Sequence, residues 1–80
     1  MIPITSSETL GKVLRRRRKD LGLSQTAAGE KFNIPQKTVS TIESGSSSVN
    51  LSTLFKYMSA LGLEMQLEPR AKAASDEALW

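Results

Sequence analysis

The sequence predicts an all-α bundle of four helices followed by a single C-terminal β-strand. Apolar residues recur three or four positions apart in four segments, which are separated by capping and turn residues. The middle two segments, within residues 25–44, are joined by a short turn. Residues 63–68 instead alternate apolar with polar side chains, as strands do. We therefore expect a folded domain over residues 1–68 and a flexible tail over residues 69–80.

The first helix is expected to begin at Thr5 or Ser6 and to end at Gly22. Thr5 and Glu8 have the spacing of a capping box, and no proline interrupts the segment. The basic residues 15–19 cannot all face one partner, because successive helical side chains are about 100° apart. Arg17 falls nearly in line with the apolar stripe of this helix. That stripe comprises Leu10, Val13, Leu14 and Leu21.

The next two helices have the dimensions of a helix-turn-helix motif. Ser24 is a good N-cap for the first of them, and Gly29 leaves room where the two backbones cross closely. Asn33 tolerates the left-handed backbone that such a turn needs, and Pro35 suits the start of the second helix. The residues expected to point inward are Ala28, Phe32, Ile34, Val39 and Ile42.

The outward side of the second helix in this motif is polar, and in such motifs this helix enters the major groove of DNA. Gln36, Lys37 and Ser40 are candidates for reading base edges, since glutamine pairs with adenine, lysine donates to guanine, and serine does either. The side chains assigned to phosphate contacts are Arg15, Gln25, Thr38 and Thr41. Each of these residues also has a simpler interpretation, as a solvated side chain on the surface.

The fourth helix follows Asn50, a strong N-cap, and ends at Gly62. Its expected inward face comprises Leu51, Leu54, Phe55, Met58 and Leu61. The strand that follows would place Leu63, Met65 and Leu67 on one side, and a lone strand has no partner within its own fold. Pairing with the same strand of a second copy would set two reading helices about 34 Å apart, on a palindromic site. The alternative is a frayed extension of the fourth helix.

Composition narrows the function classes. The chain has no cysteine and no histidine, which excludes disulfides, thiolate metal sites and histidine-based catalysis. The net charge is +3; residues 1–45 carry eight basic against four acidic residues, whereas residues 46–80 carry three against four. The basic half contains the helix-turn-helix, as a DNA-binding surface requires. Without a signal peptide or an apolar span, we expect a cytoplasmic protein that has no cofactor and is not an enzyme.

These residues resemble the Cro/C1-type (XRE) helix-turn-helix repressors. The resemblance rests on residues 23–25 (LSQ), 30–36 (EKFNIPQ) and 38–45 (TVSTIESG). It implies a lambda-repressor-like fold and an ion pair between Arg18 and Glu43, which would aim the arginine at a DNA phosphate. The chain departs from the usual pattern of the family at three positions, Ala28, Asn33 and Pro35.

Residues 62–68 and the tail that ends in Leu79 and Trp80 resemble the HipB-type antitoxins within that family. This resemblance implies that the chain represses its own operon and binds a HipA-like kinase toxin. We expect Leu79 and Trp80 to anchor that partner, because tryptophan often dominates protein interfaces. An inert C-terminal end is the alternative. A stand-alone phage-type repressor without a toxin partner and a protein-binding adaptor without DNA function remain competing hypotheses.

Overall fold

The computed structural model describes residues 2–70, in which four α-helices follow one another along the chain. They are α1 (Ser7–Asp20), α2 (Gln25–Glu30), α3 (Gln36–Glu43) and α4 (Leu51–Ala60). α3 packs against α1 and α2, and α4 packs against α2. The prediction of an all-α bundle is confirmed for these residues. None of the described helices is long and apolar enough to cross a bilayer.

The apolar core draws on all four helices and on the turn between α2 and α3. Four of its side chains, Leu14, Val39, Tyr57 and Leu61, are almost completely buried. The others are Ala28, Ile34, Ile42 and Met58. Burial of each larger apolar side chain contributes about 1.5–3 kcal/mol, so this cluster accounts for much of what holds the helices together.

α4 turns a different face to the core than the sequence predicts. Leu51 and Phe55 are 61% and 45% exposed, so their inward assignment is wrong, whereas Tyr57 is fully buried. The observed stripe of Leu54, Tyr57, Met58 and Leu61 has the same helical spacing as the predicted one, so periodicity alone does not separate them. Burial of Tyr57 is favoured because its hydroxyl finds an acceptor inside the fold.

α1 begins one residue away from the predicted capping box. Its N-cap is Ser6 rather than Thr5, and the Ser6 Oγ accepts a hydrogen bond from the Thr9 amide at 3.1 Å. The Ser6 hydroxyl in turn donates to Thr9 Oγ1 at 3.0 Å, so the observed capping pair is Ser6 with Thr9 and not Thr5 with Glu8. The start of the helix agrees with the predicted boundary, but the predicted capping pair does not form.

The C-terminal end of α1 explains the unusual position of Arg17. Leu21 is the C-cap and is 42% exposed, so its inward assignment is wrong, because the helix ends at Asp20 before the stripe reaches it. Arg17, which the sequence places in line with the stripe, is half-buried, and its Nε donates to the Leu61 carbonyl at 2.9 Å. Arg17 therefore binds the last turn of α4, where carbonyls lack helical partners.

The turn between α2 and α3 has the predicted steric features. Asn33 has a φ of 56°, in the left-handed region. A Cβ added at Gly29 would lie 2.3 Å from the Ile34 carbonyl oxygen, so only glycine fits this crossing. Phe32, by contrast, is 42% exposed, and its inward assignment is wrong. α2 ends at Glu30, so Phe32 lies in the turn, where helical spacing no longer sets its direction.

The C-terminal segment, residues 63–70, has no regular secondary structure in the described single chain. Leu63 packs against the core, but Met65 and Leu67 are 43% and 89% exposed. Within the described part of the chain, residues 64–69 make no backbone–backbone hydrogen bond. A strand that forms only by pairing with a second copy therefore stays a prediction. Leu79 and Trp80 lie outside the described residues.

Candidate nucleic-acid interface

α3 divides its side chains between the core and one polar surface. Val39 and Ile42 are buried, while Gln36, Lys37 and Ser40 are exposed on the other side. The three predicted base-reading residues therefore share one exposed face near the start of the helix. Their roles in reading bases stay predictions, but their positions allow these roles.

Thr38 and Thr41, two predicted phosphate ligands, are half-buried beside an open cavity of about 350 Å³. The Thr41 hydroxyl donates to the Lys37 carbonyl at 3.0 Å, which leaves its oxygen lone pairs for another donor and orients the side chain. The cavity is also lined by Ser48, Val49, Asn50 and Thr53, which lie just before and within the first turn of α4. The sequence analysis predicts no DNA contact for these four residues.

Gln25 links α2 to the reading helix. It is half-buried, and its Oε1 accepts a hydrogen bond from Gln36 Nε2 at 2.5 Å. Its own Nε2 donates to Glu43 Oε1 at 3.2 Å. Gln25, at the start of α2, thus joins Glu43 at the buried end of α3 to Gln36 at the exposed start of α3. The sequence predicts a phosphate contact for Gln25 and does not predict either of these hydrogen bonds.

Beneath this surface lies a buried polar cluster made of Arg18, Glu43 and Tyr57. Arg18 Nε and Nη2 donate to the two oxygens of Glu43 at 2.7 and 2.9 Å, in a bidentate ion pair. The Arg18 and Glu43 side chains are only 9% and 3% exposed. Arg18 Nη1 also donates to the Leu23 carbonyl at 2.8 Å, and the Tyr57 hydroxyl donates to Glu43 Oε2. The cluster therefore ties α1, α3 and α4 together.

The charges in the cluster stabilise one another. Burial by itself would raise the pKa of Glu43, but hydrogen bonds from Arg18, Tyr57 and Gln25 outweigh it, and the net pKa lies below its usual value. Burial and the hydrogen bond to Glu43 raise the pKa of Tyr57 well above its usual range. The hydrogen bond to Glu43 also raises the pKa of Arg18. At neutral pH Glu43 is thus an ionised acceptor, and Tyr57 is a neutral donor.

Tyr57 is the member of this site that sequence reasoning misses. Its signal is present in the helical spacing, since Tyr57 lies three residues after Leu54 and four before Leu61. A buried tyrosine requires a hydrogen-bond partner for its hydroxyl. The nearest candidate in chemical terms is a buried carboxylate, but no local pattern connects Tyr57 to Glu43, fourteen residues away.

The basic run of α1 separates into exposed and buried members. Arg15, Arg16 and Lys19 are exposed, whereas Arg17 is half-buried and Arg18 is buried. Arg16 pairs with Asp20 at 3.1 Å on the surface. Arg15 is exposed, and its contact with a phosphate stays a prediction. Arg18 has three of its five N–H groups directed at protein acceptors, so a phosphate contact by Arg18 would use the remaining two.

Comparisons with known proteins bear on this surface. The helix-turn-helix family HTH_3 matches residues 14–67 of the chain. No curated protein sequence matches it. The fold resembles that of a chain in the solved HipA–HipB–O2–O3 complex, with 28% identity, 88% of this chain and 99% of that chain covered, and a TM-score of 0.83. The fold also resembles that of a chain in the solved HipB–O4 20mer complex, with 30% identity, 90% of this chain and 100% of that chain covered, and a TM-score of 0.82.

Proposed function

The chain belongs to the helix-turn-helix family, and on this basis we propose that it is a dimeric, sequence-specific DNA-binding repressor. Members of this family are regulators, and the chain is not an enzyme. The observation that carries the proposal is the exposed polar face of α3, formed by Gln36, Lys37 and Ser40 on a helix whose other side is held in the core. The specific function we propose is that of a HipB-type antitoxin, which represses its own operon in the cytoplasm.

In this proposal the start of α3 enters the major groove of a palindromic operator. Gln36, Lys37 and Ser40 contact base edges, where each good bidentate pair contributes about 1–3 kcal/mol of discrimination. Arg15, Gln25, Thr38 and Thr41 hold the phosphate backbone, and Arg18 reaches a phosphate from within its ion pair with Glu43. The similarity to HipB, solved in a complex with an O4 20mer, supports this arrangement.

The dimer would form through the C-terminal segment. Leu63, Met65 and Leu67 alternate with polar residues, and Met65 and Leu67 expose apolar surface in the single chain. Pairing with a second copy across a two-fold axis would give hydrogen-bond partners to those backbone groups of residues 64–68 that face the second strand, and it would cover these side chains. The two-fold symmetry of such a dimer would match that of a palindromic operator.

The second partner in this proposal is a HipA-like kinase toxin. The similarity to a chain of the HipA–HipB–O2–O3 complex supports it, as does the resemblance of the tail to HipB-type antitoxins. Leu79 and Trp80 are proposed as the anchor, because tryptophan is among the residues that contribute most to the binding energy of protein interfaces. A chain shortened to residue 69 should keep its DNA affinity and lose affinity for the toxin. A stand-alone phage-type repressor has no toxin partner and would lose no function on this truncation.

The test of the DNA-binding proposal is fluorescence anisotropy with the DNA upstream of its own gene and with scrambled DNA, across a salt series. We expect tight, salt-dependent binding, a large preference for the natural site and two chains per site. Equal weak binding to both DNAs would refute autoregulation at that site. It would leave the toxin interaction as the remaining part of the proposal.

Variants separate base reading from backbone binding. Gln36→Ala and Lys37→Ala should weaken specific binding about 5- to 150-fold and relax the sequence preference. Arg15→Ala should weaken binding to all DNA alike and lower the log–log salt slope by about 0.9. Lys56 is an exposed lysine on α4, so Lys56→Ala is the matched control for the loss of a positive charge. It should change neither the affinity for DNA nor the salt slope. An unchanged specific-to-nonspecific ratio in Gln36→Ala would make the base-reading assignment wrong.

A further inference from the structure

A continuous chain of hydrogen bonds runs from the core to the exposed start of α3. The Tyr57 hydroxyl donates to Glu43, Glu43 accepts from Gln25 Nε2, and Gln25 Oε1 accepts from Gln36 Nε2. Tyr57 is fully buried, and Gln36 is exposed. The state of a buried group is therefore linked, bond by bond, to a side chain that faces the solvent. None of the buried side-chain nitrogen and oxygen atoms among residues 2–70 lacks a partner.

The chemistry of each group fixes the direction of this chain. An ionised carboxylate only accepts hydrogen bonds, so Glu43 requires Gln25 to turn its NH₂ group inward. The carbonyl oxygen of Gln25 then points to Gln36, and since a carbonyl also only accepts, Gln36 must turn its own NH₂ group toward it. The two amides would otherwise be free to flip, because the two ends of an amide have nearly the same shape.

This order leaves Gln36 with one free N–H and its carbonyl oxygen. One donor beside one acceptor matches the major-groove edge of adenine, which presents the N7 acceptor and the N6 donor. A flipped Gln36 would instead present only donors, and two donors match guanine, whose N7 and O6 both accept. The orientation of a single amide therefore distinguishes the two purines.

We propose that Glu43 and Tyr57 are positioning residues, which fix the order of donor and acceptor on Gln36 and thereby favour adenine over guanine at the base that Gln36 faces. The inference rests on the proposed function of α3 as the reading helix. Arg18 and Tyr57 both donate to Glu43 Oε2, and Arg18 and Gln25 both donate to Oε1. The Arg18 guanidinium and the Tyr57 hydroxyl together thus hold the carboxylate so that Oε1 stays directed at Gln25.

The test uses Tyr57→Phe, which removes one oxygen atom and keeps the ring in the core. Its affinity is measured by fluorescence anisotropy for sites that carry adenine, 7-deazaadenine or guanine at the position where Gln36→Ala loses discrimination. The 7-deaza base lacks the N7 acceptor. We expect the preference for adenine over both other bases to fall about three- to tenfold in Tyr57→Phe, with binding to scrambled DNA unchanged. In a Gln36→Ala background, Tyr57→Phe should have no further effect.

A second measurement is made without DNA. NMR spectra of the free wild-type protein and of free Tyr57→Phe are compared. The side-chain amide resonances of Gln25 and Gln36 should differ between the two proteins, while those of Gln66 in the C-terminal segment should stay the same. If Tyr57→Phe does not fold, Gln25→Ala interrupts the same chain of hydrogen bonds outside the core and should lower the preference for adenine equally. A loss of phosphate contact alone would weaken binding to all three sites by the same factor.

Two outcomes overturn the inference, and they are distinguishable. Sequence-specific binding by the wild type, with an unchanged adenine preference and unmoved Gln36 resonances in folded Tyr57→Phe, would refute the positioning role and leave the proposed function intact. Failure of the wild type to prefer any site would refute the proposed function, and the inference with it.

Discussion

In the buried polar cluster, Arg18, Glu43 and Tyr57 are partners of one another within one chain. In the C-terminal segment, by contrast, Met65 and Leu67 are exposed, and residues 64–69 make no backbone–backbone hydrogen bond within the described part of the chain. The first region is polar and enclosed. The second is partly apolar and open. Both run against the usual distribution, in which charges face water and large apolar side chains avoid it.

The difference shows which part of the molecule is complete as a single chain. The cluster joins three helices and holds Gln25 beneath the reading surface, so its geometry is set before any partner arrives. In the C-terminal segment, the apolar surface of Met65 and Leu67 and the backbone groups of residues 64–69 are the features that a second chain would cover. Substitutions in the cluster should therefore change folding stability, and substitutions in the C-terminal segment should change assembly.

The largest effect is expected from Glu43→Gln. The amide keeps the shape of the carboxylate but leaves the Arg18 charge buried without its counter-ion, and loss of one partner of a buried ion pair costs about 3–5 kcal/mol. Urea denaturation should detect this as a lower free energy of unfolding. Glu68→Gln, the same change in the C-terminal segment, is the control and should alter stability little. Equal stabilities of the two variants would contradict the structural role of the cluster.

The next largest effect concerns the proposed dimer and Leu67→Asp. Leu67 is 89% exposed in the single chain, so the change should not lower the stability of the monomer. In a dimer the substitution would remove about 1.5–3 kcal/mol of apolar burial per subunit and bring two like charges together. Sedimentation equilibrium should show a dimer dissociation constant raised at least about tenfold. Gln66→Asp, on the opposite side of the strand, is the matched control. An unchanged constant for Leu67→Asp would place the dimer interface elsewhere.

Acid should weaken the buried polar cluster. The pKa of Glu43 is lower in the folded state than in the unfolded chain, so its ionisation stabilises the fold above the unfolded value of about 4.3. That stabilisation is lost as the pH falls through the lower, folded pKa. The free energy of unfolding should therefore decline more steeply below about pH 4.3 in the wild type than in Glu43→Gln. Parallel curves for the two proteins would refute this assignment.

The smallest effect is expected from Arg16→Ala, in the exposed part of the basic run of α1. Arg16 pairs with Asp20 on the surface with 80% of its side chain exposed, and such pairs contribute about 0.5 kcal/mol or less. Arg18→Ala, two residues further on, should destabilise the protein several times more, because it leaves Glu43 buried without its ion-pair partner. Thermal unfolding of the two variants would measure the contrast. Similar losses of stability in the two variants would show that burial does not determine how much these ion pairs stabilise the fold.

Local signals account for the parts of the fold that were predicted correctly. Ser24 and Asn50 cap their helices through hydrogen bonds within four residues, and Asn33 adopts its left-handed turn, because such features depend on neighbours along the chain. The inward assignments of Leu21, Phe32, Leu51 and Phe55 were wrong, because they extend helical spacing past a helix end or choose between two equally spaced faces. The exposed base-reading candidates lie on one face of α3, as spacing predicts.

The four helices, the turn and the polar surface of α3 can be predicted from the sequence, since each depends on periodicity, capping or backbone preference over a few residues. The packing of the helices sets which face of α4 is buried and brings the Tyr57 hydroxyl to Glu43. It also decided that Gln25 joins that carboxylate to Gln36. These contacts link residues eleven to eighteen positions apart, and their formation depends on how the helices pack, which no local pattern encodes.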